Sequence, residues 1–375
     1  MVRIQILPEI AGVADQITVF QRTPNYIIPR LDAPVGVLER AIYKYLRPVL
    51  WRRRALMMDF RESFYPAVTD KNSPAAKEIR QQCLDQMHAA LPNQEELWKL
   101  LTPKYEPGAK RVIISDDYYP ALARPNVHLE TRSIHAISRH SVSVKDQDGQ
   151  IKDAAPKYDL LVCATGFKTV DFLHPIKIVG RNGRALGDVW KDGAQALYGV
   201  TSEDMPNFAM LYGPNTNLGH NSIILMIEAQ SRYINALIAP VLQARQKGTA
   251  LAIRPSPERV SEYNDGIQKV LQASSFNDPN CTSWYRNAAG RITNNWSGTV
   301  VEYQKLLSKV DFTDYYTEGD VDTVQSNSQV YLGRVVEETQ VSNTTLGLGL
   351  LSAAAIGAGW LLRRSYGMTG LLTSS

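Results

Sequence analysis

Apolar residues recur at spacings of three at the start of the chain, at Ile4, Leu7 and Ile10, and Gly12 follows them. That pattern predicts the end of an amphipathic helix over residues 3–12. Next comes the β-branched, apolar run Ile17–Phe20, which stops abruptly at Gln21-Arg22-Thr23-Pro24. It reads as a strand whose carboxyl end faces a site. A helix followed by a strand suggests the middle of a βαβ unit whose first strand is missing.

Residues 35–65 predict helix of mixed polarity, divided by Pro48, which cannot donate to a helical ladder. The basic run Arg52-Arg53-Arg54 within it reads first as a solvated face. Helices continue over residues 73–101, with Leu84, Met87, His88 and Leu91 on one face. From Lys110 the pattern becomes strand-like. "KRVIIS", "NVHLE" and "SIHAIS" are short strands, and "SVSVKDQDGQIKDA" alternates about Asp148-Gly149, a hairpin signal. The continuous apolar run "YDLLVCATGF", Tyr158 to Phe167, predicts a buried parallel strand entering a glycine turn.

Residues 206–235 predict a strand, a Gly/Asn-rich loop and a helix starting near Asn221 or Ser222. A further helix is expected over about 256–273, then a loop region containing "CTSWYRNAAGRITNNWSGTVVEYQKLL". The polar, acidic stretch 313–345 reads as a linker. Residues 346–362, "LGLGLLSAAAIGAGWLL", carry no charge and precede Arg363-Arg364. They read either as a short membrane anchor with a cytoplasmic C-terminus or as a helix packed on another protein.

Composition narrows the function classes only modestly. At 375 residues the chain has room for about two domains. A formal charge of +4 argues against a general nucleic-acid binder. Cys83, Cys163 and Cys281 match no metal or disulfide spacing, and the histidines form no ligand cluster, so no metal is expected. "MVRIQILPEI" has no signal-peptide pattern, and a cytoplasmic, reducing location fits.

The residues suited to chemistry sit at element ends. In a dinucleotide fold, an arginine at the end of the second strand accommodates a 2′-phosphate through its guanidinium fork. Arg22 and Thr23 are placed for that, although an exposed arginine after a strand is common. No G-x-G-x-x-G precedes the first helix. Ala164-Thr165-Gly166 ends an apolar strand, where glycine permits close backbone approach. "GPNTNLGHNS" sets a glycine-bearing loop at a helix N-terminus, which favours electron-rich ligand atoms. His220 there reads as a loop residue bonded to backbone, and Asn221 and Ser222 as helix caps.

"VFQRTPNYIIPR", "KYDLLVCATGF", "LYGPNTNLGHNSIILMIEAQ" and "CTSWYRNAAGRITNNWSGTVVEY" together resemble the flavin-dependent Baeyer–Villiger monooxygenases and, more broadly, the flavin-containing monooxygenases. The resemblance runs over about residues 3–312. It implies an α/β chain, part of a flavoprotein with two Rossmann-like dinucleotide-binding domains, one for FAD and one for NADP, and a helical insertion. The expected layout is an NADP-binding domain at 1–165 with the insertion at about 36–107, and the C-terminal part of the FAD-binding domain at 166–312.

The resemblance also implies roles. Arg22, Thr23 and Lys110 correspond to a clamp for the NADP 2′-phosphate. Arg111 corresponds to the active-site arginine, which steadies an anionic oxygen nucleophile and the negative charge that develops when it attacks a ketone. Ala164, Thr165 and Gly166 correspond to the crossing between domains, and the Asn215–Asn221 loop, with Asn217, Leu218 and Asn221, to a segment near the flavin. Trp284 and Trp296 border the substrate pocket or serve as packing anchors. The implied reactants are a ketone or another small organic molecule and molecular oxygen.

The family's flavin glycine fingerprint, its Phe-x-Gly/His/Trp signature, its active-site aspartate and the NADP glycine loop lie upstream of the matched segments. The chain is therefore expected to be a C-terminal part that holds neither cofactor tightly. Two alternatives stay open: a flavin-containing N- or S-monooxygenase, and a non-catalytic remnant or membrane-tethered interaction module.

Overall fold

The computed structural model describes residues 2–146, 148–154, 157–325 and 328–372. The chain divides into two units, residues 1–34 with 61–335, and residues 35–60 with 336–375.

The first unit opens with α1 (Val2–Ile10), whose Ile4 and Leu7 are buried, as their spacing predicts. Strand β1 (Ile17–Phe20) pairs in parallel with β4 (Val127–Glu130). The second parallel pair is shorter, β2 (Ile27–Ile28) with β3 (Ile113–Ile114). Between β2 and β3 lie the helices of this unit, α4 (Tyr65–Thr69), α5 (Pro74–Ala90) and α6 (Glu95–Leu101); α7 (Tyr118–Leu122) follows β3. Helix α5 starts cleanly, because the Ser73 hydroxyl accepts from the Ala76 N–H and Pro74 needs no donor at the first position. A core of Ile4, Leu7, Val19, Ile27, Met87 and Ile113 joins α1, the parallel strands and α5. Burial of such aliphatic side chains supplies roughly 1.5–3 kcal/mol each.

Strands β5 (Ser133–Ile137), β6 (Val142–Lys145) and β7 (Ile151–Asp153) form an antiparallel meander. Its β6–β7 turn holds the expected hairpin residues Asp148-Gly149, with Gln147 outside the described residues. The rest of the unit comprises α8 (Leu186–Val189), α9 (Ile223–Gln246), β8 (Leu251–Pro255), α10 (Pro257–Gln272), α11 (Val300–Leu306), β9 (Lys309–Asp311), β10 (Tyr315–Gly319), α12 (Asp322–Gln325) and β11 (Gln329–Tyr331).

Three expectations are corrected here. The run Tyr158–Phe167 forms no strand, and Leu160 and Phe167 are 77% and 87% exposed. A parallel strand needs a neighbour, and no described strand pairs with this one. The strand expected near Phe208–Tyr212 is also absent, although Met210 donates its N–H to the Val200 carbonyl. Finally, the stretch 313–345 is not all linker. Its β10 pairs with β8, and β11 with β9, so polarity there reflects half-exposed strands.

In the second unit, α2 (Val37–Tyr45) and the start of α3 (Arg47–Glu62) meet at the expected break before Pro48. The Arg52 guanidinium donates to the Val341 carbonyl and to Asn343, and Arg54 pairs with Glu337, so two of the three consecutive arginines are partnered. Residues 346–362 lie within the helix α13 (Asn343–Leu372). Among the described residues, no helix is long and apolar enough to cross a membrane, which corrects the reading of 346–362 as a spanning anchor. Four glycines, at 347, 349, 357 and 359, dilute its apolar character.

Gly199 illustrates how tightly the site-bearing loops are packed. Its φ is +69°, and an added Cβ would lie 2.1 Å from Thr216 Cγ2 and 2.8 Å from the Pro214 carbonyl oxygen. Gly199→Ala is expected to lose about 2 kcal/mol or more in urea unfolding, through strain and displacement of the 214–216 loop. An unchanged midpoint would contradict this packing.

Candidate functional site

The turn after β1 and the approach to β3 are held against each other by a ring of long-range hydrogen bonds. The Ile113 N–H donates to the Tyr26 carbonyl (2.9 Å). The Tyr26 hydroxyl donates to the Tyr105 carbonyl (2.7 Å), and the Tyr105 hydroxyl donates to the Pro24 carbonyl (2.8 Å). Burial pushes the Tyr26 phenol up to about 12, so it stays a donor at any physiological pH.

Three cations gather on this frame. Arg3 of α1 donates to the Thr23 carbonyl (3.0 Å) and to Asn25 Oδ1 (2.9 Å). Lys110 places its ammonium 5.5 Å from the centre of the Tyr105 ring. Burial holds that ammonium below its ordinary pKa; the Cys281 thiol opposes the shift, while the positive charges of Arg22 and Arg3 reinforce it. Arg22 itself is exposed, and Thr23 is half-buried. Among the described residues, none of Arg3, Arg22 and Lys110 has an ion pair with a carboxylate. Three cations without an acid fit an anionic group such as a phosphate. Arg22 and Lys110 lie within reach of each other's charge, and Thr23, next to Arg22, is held by Arg3. Arg3 was missed because its role depends on a fold contact 20 residues away.

Arg111, next in sequence, is exposed. Burial raises the phenols of Tyr212 and Tyr285, and the Arg111 charge opposes that rise in both, so its guanidinium lies within electrostatic reach of the two hydroxyls. The Tyr212 hydroxyl donates to Asn217 Oδ1 (2.8 Å), and its backbone N–H donates to buried Gln230 (2.8 Å). Tyr285 packs at a tilt against Trp284, with centroids 4.5 Å apart. Thr169 donates to the Trp284 carbonyl, tying down the segment that follows Gly166.

Two of the sequence motifs form one structure. Asn215 and Asn217 donate their N–H groups to the carbonyls of Thr293 and Asn294, and Trp296 donates back to Asn217. Asn217 is 2% exposed, and its side-chain Nδ2 donor has no protein partner. An orphaned buried donor in this loop is the observation that fits a bound cofactor edge. Leu218 is also buried, so it can offer a ligand only backbone. Trp296 donates to the Thr299 carbonyl and packs on Tyr303 at 5.1 Å, which makes it a packing anchor; Trp284 is 39% exposed. Ala164, Thr165 and Gly166 stand apart from these groups, exposed or half-exposed. Gly166 has φ +94°, and a Cβ added there would meet no atom within 4 Å, so its backbone is open to close approach from outside.

His220 and Asn221 face Glu62, the last residue of α3. His220 Nε2 lies 3.4 Å from Glu62 Oε1, and its ring meets Tyr65 edge-on at 5.3 Å. Asn221 Nδ2 donates to the same oxygen, and the Val300 N–H approaches it at 3.4 Å. The His220 side chain is therefore set against a carboxylate rather than the expected backbone partner, and Asn221 supports the loop. Burial alone would raise the Glu62 carboxyl; the close approach of the His220 ring, the hydrogen bond from Asn221 and the Val300 N–H outweigh it and hold the pKa below the ordinary value. No local pattern marks Glu62, because its three partners come from distant segments.

The parallel pairs, the helices packed on them and the cation-lined strand end define a dinucleotide-binding type of α/β protein. Comparison with known proteins narrows this: the chain is similar to FAD-binding and Baeyer–Villiger monooxygenases. It is 47% identical over 352 residues to a FAD-binding monooxygenase of Aspergillus niger, covering 94% of this chain and 57% of the relative. It is 37% identical over 312 residues to a Baeyer–Villiger monooxygenase of Streptomyces coelicolor, covering 83% of this chain and 58% of that protein. The chain thus spans less than two thirds of these curated relatives. No protein-family model matches it. Among solved structures, an oxidised steroid monooxygenase bound to NADP matches with a TM-score of 0.65 and 24% identity, over 88% of this chain and 65% of that one. A cyclohexanone monooxygenase of Rhodococcus sp. Phi1 bound to NADP+ matches with a TM-score of 0.65 and 21% identity, over 88% and 65%. The fold is therefore that of part of a Rossmann-like flavoprotein monooxygenase.

Two outcomes follow from the electrostatics. The charged form of Lys110 costs the unliganded fold stability at neutral pH, because its pKa is depressed. Lys110→Met is expected to raise the melting temperature while weakening NADP+ binding about tenfold. A lower melting temperature would show that the cation is not under strain. For Glu62 the sign is that of a depressed carboxylate: its contribution is present above its ordinary 4.5 and is lost as pH falls through the lower folded value. Glu62→Gln should cost about 1 kcal/mol at pH 7, allowing for partial exposure, and should flatten the acid limb of the stability curve. Parallel acid limbs in parent and variant would contradict this role.

Proposed function

We propose that this chain is the NADP-binding and C-terminal part of an NADPH- and FAD-dependent monooxygenase that inserts oxygen beside a ketone carbonyl. The observation that carries the reading is the Lys110-Arg111 pair. One cation lies near Arg22 and Arg3 in the acid-free cluster, and the charge of the next reaches the Tyr212 phenol that donates to Asn217. When bound, FAD and NADPH would supply the reducing equivalents and the centre that activates oxygen. Arg22, Thr23 and Lys110 would hold the 2′-phosphate, with Arg3 bracing the turn through Thr23 and Asn25. Asn217 and the backbone of Leu218 would meet the flavin edge, with Asn221 acting through Glu62. Ala164-Thr165-Gly166 would carry the chain between an NADP-binding domain at 1–165 and the FAD-binding part at 166–312.

Arg111 would stabilise negative charge on the reacting oxygens, since its guanidinium is exposed with no carboxylate ion pair among the described residues. The substrate would be a small ketone, as the names of the structural neighbours suggest, with molecular oxygen. The free thiols Cys83, Cys163 and Cys281 suit a reducing, cytoplasmic setting.

The test joins the upstream segment of the Streptomyces coelicolor relative to this chain. The joined protein should show a flavin spectrum, be reduced by NADPH and convert a cyclic ketone to its ester. Arg111→Ala should lower ester formation by about 100-fold or more while flavin reduction by NADPH persists. Ester formed at the parental rate would remove Arg111 from the chemistry, and oxygenation of amines or sulfides alone would favour the N- or S-monooxygenase class.

A further inference from the structure

The second unit carries a surface that the oxygenase reading does not use. On α2, Val37, Leu38, Ala41, Ile42 and Tyr45 fall on one face, and Glu39, Arg40, Tyr43 and Lys44 on the other. No residue of α2 is buried. Val37, Leu38 and Tyr45 are 86%, 76% and 73% exposed. The apolar surface continues through Leu46 into α3, where Trp51 is 66% exposed. An apolar helical face of this kind ordinarily packs on something.

The charges beside it indicate what. Across Val35–Phe60 there are six cations and two acids. Arg52 and Arg54 are engaged within the unit. Lys44, Arg47 and Arg53 are exposed and have no ion pair among the described residues. The Lys44 ammonium sits 5.1 Å from the centre of the Tyr45 ring, where the polar and apolar faces meet. Amphipathic helix, interfacial Tyr and Trp, and unpaired cations at the boundary are the components of adsorption to an anionic bilayer surface. In the same unit, α13 leaves Leu351 and Ile356 uncovered, so the unit does not close this apolar area on itself.

We infer that α2 and the first half of α3 form a docking face for the surface of an anionic lipid bilayer. The contact is peripheral: the apolar face enters the headgroup boundary and Lys44, Arg47 and Arg53 meet lipid phosphates and carboxylates. This differs from a spanning anchor in both residues and geometry, and it stands independently of the oxygenase reading.

The test is flotation of the full chain with vesicles of phosphatidylcholine mixed with phosphatidylserine, against pure phosphatidylcholine vesicles. The chain should float with the mixed vesicles at about physiological salt, and less so at high salt. Leu38→Glu/Trp51→Glu and, separately, Arg47→Glu/Arg53→Glu should each lower partitioning at least about tenfold with unchanged thermal melting, since these side chains are solvent-facing. No flotation, equal flotation with pure phosphatidylcholine, or variants that float like the parent would overturn the inference. So would a solution dimer dissolved by Leu38→Glu, which would make a second copy the occupant.

Discussion

Two pairs of isoleucines carry the site. Ile27 with Ile113 and Ile28 with Ile114 form the whole of the β2–β3 ladder. Yet this ladder brings the turn Arg22–Asn25 to the dipeptide Lys110-Arg111, across a long and mostly helical stretch of chain. A ladder so short cannot hold that closure through its own hydrogen bonds, each worth about 1 kcal/mol net. It is reinforced by the Tyr26–Tyr105–Pro24 hydrogen bonds, by the Ile27 N–H on Cys83 Sγ, and by Arg30 on Asp116. The core of Ile4, Val19, Ile27, Met87 and Ile113 then buries the ladder from the side. Register matters here: in a parallel pair a one-residue slip would turn Ile113 outward and swing Lys110 and Arg111 with it.

The electrostatics divide into a satisfied half and an unsatisfied half. Glu62 is satisfied, gathering His220, Asn221 and the Val300 N–H onto one carboxylate. That junction ties the 215–221 loop to the start of α11, so the loop is fixed before any ligand arrives. Lys110 is the opposite case. It is half-buried, near two other cations, with burial and their charge both disfavouring its ammonium. Groups kept in such surroundings cluster where a ligand restores the balance. The orphaned Nδ2 of Asn217 is the neutral counterpart of the same arrangement.

Local signals made much of this legible. The spacing Ile4-Leu7-Ile10 and the proline at 48 each act within a few residues, and the helices formed where they pointed. Arg22 and Thr23 could be singled out because a strand end is readable in a string, whereas Lys110 and Arg111, a plain basic pair by themselves, stood out only through the family resemblance. What failed depended on partners far along the chain. Tyr158–Phe167 has the composition of a buried strand, but composition does not supply the neighbouring strand that burial requires. The polar stretch after residue 312 hid β10 and β11, because strands with one face in water read as polar. Arg3, Glu62, Tyr212 and Tyr285 join the site only through long-range contacts. The apolar run at 346–362 looked long enough to span, but its glycines leave a helix that falls short.

We propose that the β2–β3 frame presents a site for a 2′-phosphate. Titration calorimetry of the chain with NADP+ and with NAD+, at one fixed salt concentration, tests it most directly. NADP+ should bind more tightly by about tenfold or more, and Arg22→Ala should erase the difference. Equal affinities for the two dinucleotides in the parent protein would contradict it.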